Sequence, residues 1–348
     1  MAPRYYAFRS AAVIAVALLS LPVLGAGQQT TKASAPSNKA WTLPRTPAGQ
    51  PDFEGYWTNA TLTPLERPAA LAAKEFFTEA EAAAYEKERL AKENSQAKDD
   101  IHYDNVIWQS ENYTKSTSNR RTSLIYDPPD GKIPPLTAKG QILLKAEKEA
   151  ERRREAAESA ESRSLAERCI AWGNEGPPML GSTYNANLQI LQTPDSVTIA
   201  HEIIHGVRSI PLDGRPHLPS AIRQLGGDSR GHWEGDTLVV DSTNFTERTN
   251  FRGPPASTRQ DIFSDENLHV TERFTRTDAD TIVYRFTVDD PSVWTKSWSG
   301  ELLLRKMKGP LLEYACHEGN YGLPNILAGA RAAEKAASVA AAKASVSK

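Results

Sequence analysis

The sequence predicts a mainly β fold preceded by helices, and three observations carry that expectation. Beyond Trp172 the chain breaks into short β-branched and aromatic runs. Turn residues separate the runs: Pro194-Asp195, Glu234-Gly235-Asp236, Asp278–Asp280 and Lys308-Gly309-Pro310. Before Trp172 the pattern is different, with two charged, helix-favouring stretches and proline-rich turns between them.

The β runs come first. LQILQT leads into VTIAHEIIHGVRSI, and HWEGDTLVV turns on its own Glu-Gly-Asp. LHVTERFTRT and TIVYRFTV flank the turn at Asp278–Asp280, and SWSGELLLRKM and LLEYACHE follow. Together they read as about seven strands in a meander with short connections. The pattern fits an antiparallel β-barrel, lipocalin-like or related, or else a sandwich.

The N-terminal half is organised around the helices. Residues 27–50 form a polar, proline-containing leader. Pro51 to Pro68 carries Phe53, Trp57 and Leu62 among turn residues and is expected to pack in extended form on the main body. A helix is expected from Leu71 to Ala97, with Thr78 and Glu81 in capping-box spacing. A second, solvated helix is expected from Thr137 to Arg168, held by i,i+4 charge pairs. The division is therefore arms and two helices over 51–170, the β domain over 171–325, and a helical or disordered Ala/Lys-rich tail over 326–348.

The first 26 residues read as a secretory signal. Arg4 and Arg9 precede an apolar run from Ala11 to Leu24, and small residues follow, with cleavage expected near Ala26. The run falls short of the roughly 20 apolar residues of a membrane span. The mature protein is thus expected to be secreted or periplasmic, with no membrane span. The 41 basic and 43 acidic residues leave a net charge of -2, which gives no sign of a nucleic-acid partner. The two cysteines, Cys169 and Cys316, read as one disulfide in an oxidising compartment, against the alternative of two buried thiols.

Alternation assigns side chains to faces. Glu272 interrupts the apolar face of Leu268, Val270 and Phe274. In a continuous strand, His201 and His205 would share a face with Val197, Ile199, Ile203 and Val207. Glu313, Ala315 and His317 would share another.

The sharpest motif is His201-Glu202-Ile203-Ile204-His205, an H-E-x-x-H match. On a helix, His201 and His205 would meet one zinc ion, and Glu202 would activate its water. Thr193-Pro194 and Gly206 suit the ends of such a helix. The β-branched residues around the motif favour a strand instead. There the two histidines would lie about 13 Å apart. The longer metzincin pattern is not followed, because Arg208 and Pro211 stand where it needs Gly and His.

A second cluster, IPLDGRPHLP, would project Asp213, Arg215 and His217 from one loop. A third holds Tyr314, Cys316, His317 and Glu318. Trp233, Trp294 and Trp298 could rim an apolar cup or simply fill the core. No glycine-rich phosphate loop, serine elbow, CxxC or haem motif is present.

Several of these strings, RTSLIYDPPDGKIPPLT, SLAERCIAWGNEGPPML, GDSRGHWEGDTLVVDSTNFT and YACHEGNYGLPNILAGAR among them, resemble a family of secreted bacterial proteins of uncharacterised activity. The resemblance runs from about Pro51 to Arg331. It implies export from a bacterial cell, and sequons at Asn59, Asn112 and Asn244 that carry no glycan. It also implies that Glu202 and His205 belong to the pattern, whereas a histidine at 201 need not. It supplies no activity, cofactor or catalytic residue.

The functional expectation is an exported hydrolase or lyase acting on a small organic molecule in a β-barrel. His205 with Glu202 or Glu272 would do the acid–base work, within a polar cluster that adds Arg208, Asp213, His217 and His317. The alternatives are a non-catalytic barrel for a small ligand and a zinc metallohydrolase through His201, Glu202 and His205. No cofactor other than that zinc is expected.

Overall fold

The computed structural model describes residues 41–72, 74–93, 119–173, 175–181, 184–246, 250–252, 261–263 and 266–346. The expected signal, most of the expected leader and the stretch 94–118 lie outside the described residues.

The architecture is a nearly closed antiparallel barrel. Its strands are β1 (Gly55–Thr58), β2 (Ile125–Asp127), β3 (Asn187–Thr193), β4 (Ser196–His201), β5 (Val207–Pro211), β6 (Asp228–Glu234) and β7 (Thr237–Thr243). There follow β8 (Asn250–Arg252), β9 (Asp261–Phe263), β10 (His269–Asp278), β11 (Thr281–Asp289) and β12 (Trp298–Lys306). The wall runs β5-β4-β3-β1-β12-β11-β10-β7-β6, and β8 and β9 form a separate ribbon.

The turn signals delivered the hairpins where alternation required them. Residues 234–237 join β6 to β7, and 278–281 join β10 to β11. In β10 the pattern puts Val270, Glu272 and Phe274 inside, all essentially inaccessible.

Two seams close the wall. The first is made by the N-terminal arm. β1 pairs with β3 through Trp57 and Leu188, and with β12 through Trp57 and Lys306. β2 pairs with β12 farther along, at Ser299 and Gly300. The segment expected to lie over the barrel is thus part of its wall. The second seam lies between the edges β5 and β6. There the sheet ladder stops, and side chains make the contact: a Cβ on Gly231 would stand 2.8 Å from Ile210 and 2.7 Å from Leu212.

VTIAHEIIHGVRSI is not one strand, and it is not a helix. β4 ends at His201, the chain reverses through a single 3-10 turn at Ile203–His205, and β5 begins at Val207. Ile204 and His205 take φ of 48° and 42°, and the His201 N–H donates to the Gly206 carbonyl at 2.7 Å. A β-branched residue in left-handed backbone is costly. The tertiary bonds of Glu202, described below, hold it there against local propensity.

Three further boundaries differ from the sequence expectation. Helix α1 spans Glu79–Glu93, starting from the expected capping box. There Thr78 N–H donates to Glu81 Oε2 at 2.8 Å, and Glu81 N–H donates to Thr78 Oγ1 at 3.3 Å. Helix α2 spans Ala138–Glu155 and stops well before Arg168, because the chain turns at Ala157 with φ of 48°. LLEYACHE is not a strand. Residues 311–315 have no sheet partner and 316–319 form a turn, so the face shared by Glu313 and His317 does not exist. The tail is helix α3, Gly322–Val346. Among the described residues no helix is long and apolar enough to cross a membrane.

Candidate functional site

The segment 175–181 enters the barrel. Met179 and Leu180 are fully buried and join a core with Trp57, Phe274, Tyr284 and Phe286. The Met179 N–H donates to Tyr284 Oη at 2.8 Å, and Tyr284 Oη–H donates to Glu272 Oε1 at 2.7 Å. Arg208 reaches in from β5 and grips Glu272 with two bonds, Nη1–Oε2 at 2.6 Å and Nη2–Oε1 at 3.0 Å. Burial first, and the adjacent Glu272 charge second, push the Tyr284 hydroxyl well above its ordinary range. The hydroxyl therefore stays a neutral donor and spans plug and carboxylate. This network is a polar brace that links the plug to β11, β10 and β5.

A cavity of about 570 Å³ opens beside the brace, at the β5/β6 seam. The segment 165–177 forms one wall, with Ile170, Trp172 and Glu175. The β4–β5 hairpin supplies His201, Gly206 and Arg208, and the approach to β6 supplies Leu225, Gly226 and Asp228. The cavity is therefore apolar in part, with a few polar groups converging on it, as small-molecule sites are.

Two of those groups are shifted far from their ordinary state. Burial pushes the Glu175 carboxyl up to about 7, opposed weakly by the bond its Oε1 accepts from the Trp172 N–H at 3.2 Å. Burial, reinforced by the nearby Arg208 charge, takes His201 down to about 3, so its ring is neutral at pH 7. Its Nε2 is buried without a hydrogen-bond partner. Gly206 leaves the room in which the Glu175 carboxyl rests, since a Cβ there would push the carboxyl aside.

The residues singled out from the sequence fall into five places. Glu272 and Arg208 meet in the interior brace. Glu202 is buried and accepts from Asn185 Nδ2 and Asn187 Nδ2, both at 3.1 Å, and from the Leu312 N–H at 2.9 Å. It thereby clasps the C-terminal arm to the hairpin. His205 is exposed on that hairpin, away from the inward-facing His201. His317 is exposed on the turn beside the disulfide.

Asp213 and His217 belong to the outer face. Asp213 pairs with Arg215 at 2.5 Å. His217 bridges two carboxylates, Nδ1 to Asp228 Oδ2 at 2.8 Å and Nε2 to Asp241 Oδ2 at 3.1 Å, and Asp241 also bonds His269. The bond from His269 holds Asp241 low, and the same bond raises His269. Among the described residues no group of three or more His, Cys, Asp or Glu side chains is arranged to hold a metal ion. His201 and His205 stand at opposite ends of the hairpin turn rather than one helical turn apart.

Glu175 and Tyr284 were not singled out from the sequence. Tyr284 had a signal, because it alternates with Ile282 and Phe286 on an inward face. Glu175 sits in an aperiodic Gly/Pro segment and had none. Trp294 and Trp298 are core residues stacked edge to face at 5.9 Å, and Trp233 packs on Phe53.

Cys169 and Cys316 are joined in a disulfide, a bond that persists in oxidising, extracytoplasmic compartments. It fastens the C-terminal arm to the segment that walls the cavity.

No protein-family model and no curated protein matches this chain. Among solved structures it is similar to an asparagine-to-alanine mutant of the fluorescent protein UnaG, at 15% sequence identity, over 35% of this chain and 72% of that one, with a TM-score of 0.22. A likeness of that score carries no argument, so the barrel rests on its own strand order and register.

Proposed function

We propose that this protein is an exported barrel that binds a small organic molecule in the cavity at the β5/β6 seam. One observation carries the reading: the cavity of about 570 Å³ has walls part apolar and part polar, and it holds a half-buried carboxyl, Glu175, and a buried imidazole, His201, neither with an ion-pair partner among the described residues. Keeping such groups buried costs stability. A bound molecule that hydrogen-bonds them offsets that cost.

The test is direct. N-phenyl-1-naphthylamine, a neutral probe whose fluorescence rises in apolar surroundings, is titrated into the mature protein. The reading expects saturable binding of one probe per chain. Gly226→Trp is expected to abolish it, because a Cβ at Gly226 meets nothing within 4 Å and the new ring takes up cavity space. Unsaturable binding, or equal binding by the variant, contradicts the reading.

A second reading adds chemistry to the same cavity. Glu175 titrates near neutrality while His201 stays neutral, and a pair of groups pushed apart in this way suits acid–base work. The hydrolase or lyase expectation would then run through Glu175 and His201 in place of His205. Turnover of a cavity ligand by the parent protein, abolished in His201→Gln, distinguishes an enzyme from a binder.

A further inference from the structure

The charges that line the seam cavity do not balance. Arg208 is the cation among its described lining residues, and Glu272 already neutralises it with two bonds. Asp228 is likewise occupied, by the Leu218 N–H, His217 and Arg230. His201 is neutral. Glu175 accepts a single backbone bond, and no cation pairs with it among the described residues.

Trp172, three residues before Glu175, lines the cavity. The Tyr184 ring stands 6.1 Å from it, and the Tyr314 ring is 6.3 Å farther on. An aromatic face beside an unpaired carboxylate attracts a positive charge twice over, through the ring quadrupole and through the ion pair.

We infer that the ligand of the seam cavity is a compact organic cation, a protonated amine on an apolar body, with its ammonium at Glu175 and its body against Trp172, Ile170 and Leu225. The inference rests on the proposed reading of the cavity as a ligand site. Its physical basis is compensation. A half-buried carboxylate is costly without a partner, and an ammonium that enters with the ligand supplies one. An anionic ligand would meet Glu175 and Asp228 with no free cation in the described wall. A neutral ligand would leave Glu175 as it is.

The experiment compares three molecules of one shape by calorimetry near pH 8: phenethylammonium, 2-phenylethanol and 3-phenylpropanoate. The amine is expected to bind at least roughly tenfold more tightly than the alcohol, and the carboxylate more weakly still. In Glu175→Gln, which keeps an acceptor for the Trp172 N–H, the amine is expected to fall to the level of the alcohol while the alcohol is unchanged. Equal or tighter binding of the alcohol or the carboxylate overturns the inference, as does amine binding indifferent to Glu175→Gln. Absence of amine binding overturns it too. The naphthylamine probe separates the two failures: if the probe still binds and Gly226→Trp removes it, the cavity reading stands and the cation alone is wrong. If the probe does not bind, both fall.

Discussion

Arg208 on β5 and Glu272 on β10 meet across the barrel interior in a two-point ion pair, with bonds of 2.6 and 3.0 Å and Glu272 fully inaccessible. Removing one partner leaves a buried charge. Glu272→Gln or Arg208→Leu is therefore expected to cost about 3–5 kcal/mol in urea unfolding. The paired replacement Arg208→Met with Glu272→Leu is expected to recover most of that loss. A single variant within about 0.5 kcal/mol of the parent would show that the pair carries no structural role.

Glu175 sets a pH dependence of defined sign. Its carboxyl titrates near 7 in the fold, against 4.5 as an ordinary side chain. Between those values the unfolded chain has lost the proton and the folded chain holds it. Stability therefore falls as pH rises from about 4.5 to about 7, by about 3 kcal/mol in all. Glu175→Gln removes that slope. The variant is expected to gain on the parent through this window and to be the more stable protein near pH 8. Parallel stability profiles for the two proteins would contradict the burial of this group.

His201 acts in the opposite sense. Its folded value, about 3, lies below the ordinary 6.5. The unfolded chain binds the proton first as pH falls, so stability drops below about pH 6.5, at about 1.4 kcal/mol per pH unit while the two states differ by one proton. His201→Gln is expected to flatten that contribution. Comparing the variant with the parent at each pH isolates it from the opposing slope of Glu175.

The C-terminal arm is held by the Glu202 bond to the Leu312 N–H, by the Asn320 Nδ2 bond to the Glu167 carbonyl at 2.8 Å and by the Cys169–Cys316 disulfide, among other contacts. The disulfide spans 147 residues. Replacing both cysteines by serine is expected to lower stability by about 3–5 kcal/mol. Glu202→Ala strands two asparagine amides and loosens the arm around Leu312. Limited proteolysis is expected to cut near residues 308–321 in that variant while the barrel stays intact, and an uncut arm would argue against the clasp.

The legible part of the site was the part governed by alternation. Glu272 could be placed on an inward face because Leu268, Val270 and Phe274 flank it at period two. The Glu202–His205 segment misled for an equally physical reason. Its β-branched residues favour a strand, and its H-E-x-x-H spacing suits a helix. What the chain adopts is a tight hairpin with Ile204 in left-handed backbone, fixed by bonds from Asn185, Asn187 and Leu312. Those donors lie outside any local window. Glu175 left no mark at all, since a Gly/Pro segment has no periodicity to interrupt.

By itself, the sequence determined the β-rich class, the hairpins closed by Glu234-Gly235-Asp236 and Asp278–Asp280, and the inward place of Glu272. These follow from short-range chemistry: turn residues and alternation. Tertiary structure alone decided that β1 enters the wall between β3 and β12, that Met179 and Leu180 plug the interior, and that Arg208 crosses to Glu272. It also decided that a cavity opens where β5 and β6 fail to pair, with Glu175 in its wall. Strand order and loop placement depend on contacts between residues far apart in the chain, and the local pattern of side chains does not encode which distant partner each will find.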